Sequence, residues 1–188
     1  MARTLLNVEV EGHMTKKTPR GFTLVEMLVV IAILGILSVL AVTVYKRYTM
    51  KAKTSEAMSM LAHIKAKQDA YQGEHYRYAH IPAFYPTTVK RNEKVPFGPL
   101  PVEWQQLGIQ ASTRAVYFQY NVVSDQGNVA NAPPAGYGTY GLTPGQPWFV
   151  ARALASFDDA GNAPDTTFEI VSNRDTVWKV DKFGNRGP

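Results

Sequence analysis

The sequence predicts an α+β protein: one long N-terminal α-helix, membrane-spanning in its first half and amphipathic in its second, packed on a small antiparallel sheet. Three observations predict it. Residues 27–45 (MLVVIAILGILSVLAVTVY) run nineteen positions without a charge, roughly 28 Å of helix and close to the hydrocarbon thickness of a bilayer. No proline stands between Phe22 and Ile81, so a helix of about 50 residues meets no breaker. Beyond Ala111 the texture changes to short alternating runs rich in Val, Tyr, Phe and Thr, separated by Gly, Asn and Asp, the pattern of strands and turns.

Composition bounds the rest. The chain has 188 residues, 45% apolar and 19% charged, with a formal net charge of +5, which suits one packed domain of ordinary size. The positive excess is local: in residues 46–67, Lys46, Arg47, Lys51, Lys53, Lys65 and Lys67 stand against Glu56 alone. From Gln68 onward, 10 basic residues face 11 acidic ones, which excludes a nucleic-acid domain built on a broad basic face. The absence of cysteine excludes disulfides, thiolate metal sites and a cysteine nucleophile.

The first element is the apolar helix. A buried core helix rarely runs this long without a polar face. A cleaved secretory signal has a shorter apolar run and a small-residue cleavage site, whereas here Lys46 and Arg47 follow the run. Cations flank both ends, so charge bias alone does not orient the span. Glu26 is out of place, because an isolated carboxylate at the centre of a membrane helix costs on the order of 2.5 to 3.5 kcal/mol. It is expected to have a partner, or to sit at headgroup depth on the helix dipole. In the second half of the helix Thr54, Met58, Leu61, Ile64, Gln68 and Tyr71 recur at steps of three and four, a stripe that packs on the rest of the protein.

Residues 73–111 hold Pro82, Pro86, Pro96, Pro99 and Pro101 among Phe84, Tyr85, Phe97 and Trp104. They read as a packed connecting loop with a helical turn near 103–106. Strands are expected at 115–123, 148–154, 166–172 and 176–180, about four in all, with turns at 125–128, 143–145 and 158–162. Without a disulfide, packing of Phe168, Trp178 and Phe183 must hold the C-terminal region.

The string Lys16-Lys17-Thr18-Pro19-Arg20-Gly21-Phe22-Thr23-Leu24-Val25-Glu26, followed by the apolar run, resembles the class III signal peptide of type IV prepilins and type II secretion pseudopilins. Ser55-Glu56-Ala57 and Tyr71, Tyr76 and Tyr78 also resemble the corresponding stretch of type IVa pilins. The likeness covers residues 16 to about 78 and implies the ladle-shaped pilin fold. It implies a prepilin peptidase that cuts between Gly21 and Phe22 and N-methylates Phe22, leaving 188 minus 21, or 167, residues. Glu26 would dock on the N-terminal amine of a neighbouring subunit. The implied partners are that peptidase, other pilin subunits and, indirectly, an inner-membrane assembly platform and its ATPase. The implied location is the bacterial inner membrane, single-pass with a cytoplasmic N-terminus, and then a surface pilus or a periplasmic pseudopilus. Many type IVa pilins carry proline at the twenty-second mature residue, where this chain has Thr43, which leaves Gly35 as the weak point of the helix. On this plan residues 1–21 are a leader, with Met14 as an alternative start, 22–45 the membrane and filament-core helix, 46–75 the amphipathic stalk and 76–188 the head.

No constellation for catalysis is present, and the chain reads as a structural subunit, not an enzyme. The alternatives are a type II secretion pseudopilin and a lone membrane-anchored binding protein. A membrane-tethered hydrolase would need His75 or Asp158. His75 and His80 near Glu74 lack further ligands for a metal and read as solvated. Asp158, Asp159, Asn162 and Asp165 are the one calcium candidate, and an Asx-rich hairpin turn is the favoured reading of them. The basic run of residues 46–67 reads as a solvated anchor beside lipid headgroups, with nucleic acid the disfavoured use.

Overall fold

A computed structural model describes residues 21–88, 90–109, 115–128, 130–134, 142, 145–157, 165–180 and 186–187. Helix α1 occupies Leu24–His75, 52 residues, and passes Gly35, Thr43 and Gly73 without a break. The chain divides into two compact units, Met1–Lys46 and Arg47–Pro188.

In the first unit the described residues are all exposed, and the helix is long and apolar enough there to cross a membrane. Its hydroxyls turn inward: Ser38 Oγ donates to the Leu34 carbonyl at 2.7 Å and Thr43 Oγ1 to that of Val39 at 3.3 Å. A hydroxyl bonded to its own helix needs no solvent partner.

In the second unit α1 buries Ala57, Met60, Leu61, Ile64 and Gln68, a stripe at helical period. This corrects the expected stripe at its start, since Met58 is 46% exposed. Met58 lies one position round the helix from Ala57, whereas Thr54 is half-buried and keeps step with Ala57 and Leu61.

Among the described residues the sheet has six strands in the order β1-β4-β5-β6-β7-β8, all antiparallel. They are β1 Ile81–Tyr85, β4 Gln119–Ser124, β5 Phe149–Ala155, β6 Thr166–Val171, β7 Trp178–Val180 and β8 Arg186–Gly187. A separate pair joins β2 Val95–Pro96 to β3 Ala115–Val116, and a short helix α2 spans Val102–Gln106. The sheet is larger than the four strands expected, and the expected loop over 73–111 contributes β1 and β2. Their prolines hid them: Pro82 sits on an edge strand and Pro96 in a two-residue pair, positions where a missing N–H is tolerated. The single strand expected at 115–123 is two, because after Val116 the chain leaves β2 and at Gln119 joins β1 and β5.

Alternation along β5 separates two apolar clusters. Phe149, Ala151, Ala153 and Ala155 join Ala57, Leu61 and Ile64 of α1, with Trp104, Phe118, Tyr120 and Phe168, in the main core. Val150 belongs to a second cluster with Leu142, Trp148 and Val171. Phe118 is the hub of the aromatic packing, edge-on to Phe157 at 5.5 Å and to Phe168 at 5.9 Å, geometries that favour the ring quadrupoles. Of the residues expected to hold the C-terminal region, Phe168 lies in the main core and Trp178 packs on the second cluster. Phe183 lies outside the described residues.

Candidate functional site

The motif residues sit at the start of α1. Gly21 and Phe22 precede the helix and are exposed, Phe22 to 77%, so the bond between them lies outside the helical hydrogen-bond ladder and is open to an extended-chain protease. Thr23 is the N-cap and Glu26 the third helical residue. Thr23 Oγ1 accepts from the Glu26 N–H at 3.2 Å, while Glu26 Oε2 accepts from the Thr23 N–H and from the Thr23 hydroxyl, both at 2.8 Å. This is a capping box, written in the sequence as Thr-Leu-Val-Glu. It satisfies otherwise orphaned N–H groups and places a negative charge on the positive end of the helix dipole. Both Thr23 bonds go to Oε2; among the described residues Oε1 takes none. The sequence reading gave Glu26 a partner in another molecule, and missed the one three residues away.

The basic run is divided by the fold. Lys53 bonds the Asn92 side chain and lies 5.0 Å from the ring centre of Tyr117. Lys65 bonds Asp69 at 2.9 Å, Asp175 at 3.4 Å and the Ser172 carbonyl at 3.2 Å. Burial opposes the Lys65 charge, but its bonds to Asp69 and Asp175 outweigh burial and raise its pKa. Glu56, the one acid of the run, accepts from the Tyr117 N–H at 2.7 Å and lies 3.4 Å from Lys94. Lys53 and Lys65 thus act inside the second unit as structural groups.

The remaining candidates do not converge. His80 is half-buried and its Nδ1 accepts from the Ser124 N–H at 3.1 Å, which corrects the solvated reading: the ring ties β1 to β4. His75 packs its ring on Tyr71 at 4.2 Å, with Glu74 4.0 Å from Nε2. Asp158, Asp159 and Asn162 lie outside the described residues. Asp165 Oδ2 accepts from the Phe157 N–H at 2.7 Å and Oδ1 from the Thr166 hydroxyl at 2.8 Å. Among the described residues no group of three or more His, Asp or Glu is placed to hold a metal.

The comparisons single out the same segment. Residues 16–42 match the family described as the prokaryotic N-terminal methylation motif. The N-terminal segment is similar to that of type IV pilins. The chain is 36% identical over 61 residues to fimbrial protein EcpC of Eikenella corrodens, covering 32% of this chain and 40% of that protein. It is 39% identical over 59 residues to the type IV major pilin PilE1 of Neisseria gonorrhoeae, 31% of this chain and 36% of the pilin. To the type IV major pilin PilA of Myxococcus xanthus it is 37% identical over 60 residues, 32% of this chain and 27% of the pilin. The chain therefore spans two-fifths or less of the length of these curated relatives. No solved structure matches it.

Proposed function

We propose that the chain is a prepilin, cut between Gly21 and Phe22, N-methylated on Phe22 and polymerised as a structural subunit of a type IV pilus. The observation that carries this reading is a helix start capped by Thr23 and Glu26 ahead of a charge-free run, within the methylation motif. Before assembly the helix spans the inner membrane with its N-terminus cytoplasmic, and the exposed apolar residues become the filament core. The capping box holds Glu26 Oε2 within its own chain and leaves Oε1 for the ammonium or methylammonium of Phe22 in an incoming subunit. Each charge is costly alone in a dry bundle, and each offsets the other when subunits meet in one axial register. A register error of one helical turn, about 5.4 Å, separates them.

Mass spectrometry of N-terminal peptides from sheared fibres and from the residual membranes tests the reading. Peptides starting at N-methylated Phe22 are expected in the fibres. Their confinement to membranes favours the pseudopilin, and retention of the leader in every chain overturns the proposal. Glu26→Gln separates the two roles of the carboxylate. The amide still accepts from Thr23 and keeps the cap, but lacks the charge, so the chain is expected to be processed and inserted yet absent from fibres. Incorporation at the parental level refutes charge docking.

A further inference from the structure

At the C-terminal end of α1 a cavity of about 300 Å³ opens between the helix end, the start of β1 and α2. We propose that it is a binding site for a neutral saccharide. It lies wholly in the Arg47–Pro188 unit and stands independently of the assembly reading.

The polar groups lining it are largely unused. Among the described residues no hydrogen bond or ion pair engages the guanidinium of Arg77, the carboxylate of Glu103 or the side-chain amides of Gln106 and Gln126. His80 adds a donor: its Nδ1 accepts from Ser124, which assigns the proton of the neutral ring to Nε2. These groups stand on a stiff frame. Tyr78 is half-buried with its ring edge-on to Phe149 at 4.8 Å, and Tyr71 is packed on His75. The stem of Arg77 lies along the turn at Gly127, where φ is +81° and a Cβ would come within 3.3 Å of it. The absence of a side chain there makes room for the Arg77 stem.

Chemistry narrows the occupant. A metal lacks ligands among the described residues. An anion such as phosphate would meet one cation and the Glu103 carboxylate, and a cation would meet Arg77. An apolar molecule would leave these five polar groups unpaired, at a cost for each. A hydroxyl both donates and accepts, so a ligand carrying several of them can satisfy a donor-only guanidinium, an acceptor-only carboxylate and two amides at once. The C–H faces of a sugar ring can also pack on tyrosine. The volume is at the small end of ligand cavities, roughly 300 to 1,000 Å³. A second, more apolar cavity of about 300 Å³ shares His80, Ile81 and Glu103 and runs along β1 past Phe84 to Trp104, which suits a chain of sugars better than a single ring.

Saturation-transfer difference NMR on the full chain in detergent tests this, with maltotriose, cellotriose and tri-N-acetylchitotriose as probes and a zwitterionic dipeptide and inorganic phosphate as contrasting ligands. At least one trisaccharide is expected to bind in the millimolar range or tighter. Arg77→Ala should weaken that binding about tenfold and Gln106→Ala about threefold, the effects of losing a charged and a neutral hydrogen bond. Both residues are exposed, and unchanged thermal melting of each variant shows that the fold is intact. Binding of no trisaccharide, binding unaffected by both substitutions, or binding of the dipeptide or phosphate alone overturns the proposal.

Discussion

Replacing Gln68 should loosen the second unit by a predictable amount. Gln68 is fully buried in α1, and its side-chain amide pairs with the peptide groups of Ala79: Nε2 donates to the Ala79 carbonyl at 3.0 Å and Oε1 accepts from the Ala79 N–H at 2.9 Å. This two-bond clamp fastens the chain where it turns back after Tyr76, a residue held at φ 57°. Gln68→Leu keeps most of the volume and removes both bonds. Each group left unpaired costs about 1 to 3 kcal/mol when dry; Ala79 is half-buried, so the low end applies. After a gain of under about 1 kcal/mol from the added apolar burial, a net loss of about 1 to 2 kcal/mol remains. For a unit of this size that lowers the melting midpoint by about 3 to 7 °C. Near-ultraviolet circular dichroism of the full chain in detergent reads the packed aromatic rings and not the bare helix. Gln68→Glu gives the sharper sign. An ionised carboxylate faces the Ala79 carbonyl with an acceptor, whereas a carboxylic acid donates there as the amide does. Burial and that carbonyl raise the folded-state pKa above the unfolded value of about 4.3. The folded state therefore holds the proton more tightly, and the defect shrinks as pH falls through the folded pKa towards the unfolded one. A Gln68→Leu midpoint equal to the parent's, or a Gln68→Glu defect indifferent to acid, refutes the clamp.

Three further outcomes are expected. Ile64→Ala should cost about 3 kcal/mol in denaturant unfolding through the cavity it leaves, whereas Met58→Ala, on an exposed stretch of the same helix, should stay within about 0.5 kcal/mol; equal effects would show that the buried stripe is misplaced. Glu56→Ala strands the Tyr117 N–H and should cost about 1.5 to 3 kcal/mol, while Glu56→Gln keeps that acceptor and should lose under about 1 kcal/mol with the partly exposed Lys94 pair; thermal melts of the two variants separate the roles. Burial, with a smaller push from the Glu56 charge, raises the Tyr120 phenol well above its usual range. The unfolded chain then releases this proton first, so the Tyr120 contribution to stability is flat up to about pH 10 and falls above it. Among the described residues the buried Tyr120 hydroxyl has no hydrogen-bond partner, so Tyr120→Phe should stabilise by about 1 kcal/mol and flatten the alkaline loss followed by tyrosinate absorbance.

The long helix, its apolar half and the motif around Gly21, Phe22 and Glu26 are legible in the residues alone, because each is a local property: charge-free length, absence of proline, and residue types at fixed spacing. Strands β5 and β6 were legible for the same reason, since alternation with β-branched and aromatic residues is read within one segment. Thr-Leu-Val-Glu also spelled out its capping box, although the intramembrane cost of Glu26 drew attention to a partner outside the chain. Only the folded chain shows that Ile81–Tyr85, with its proline, is an edge strand, and that Ala57 and Met60 rather than Met58 face the core. It alone engaged Lys53 with Tyr117 and Lys65 with Asp175. The cavity by Arg77, His80, Glu103 and Gln126 has no trace in the sequence, for its walls come from segments tens of residues apart. Side chains at such separations acquire a common environment only when the core brings their backbones together.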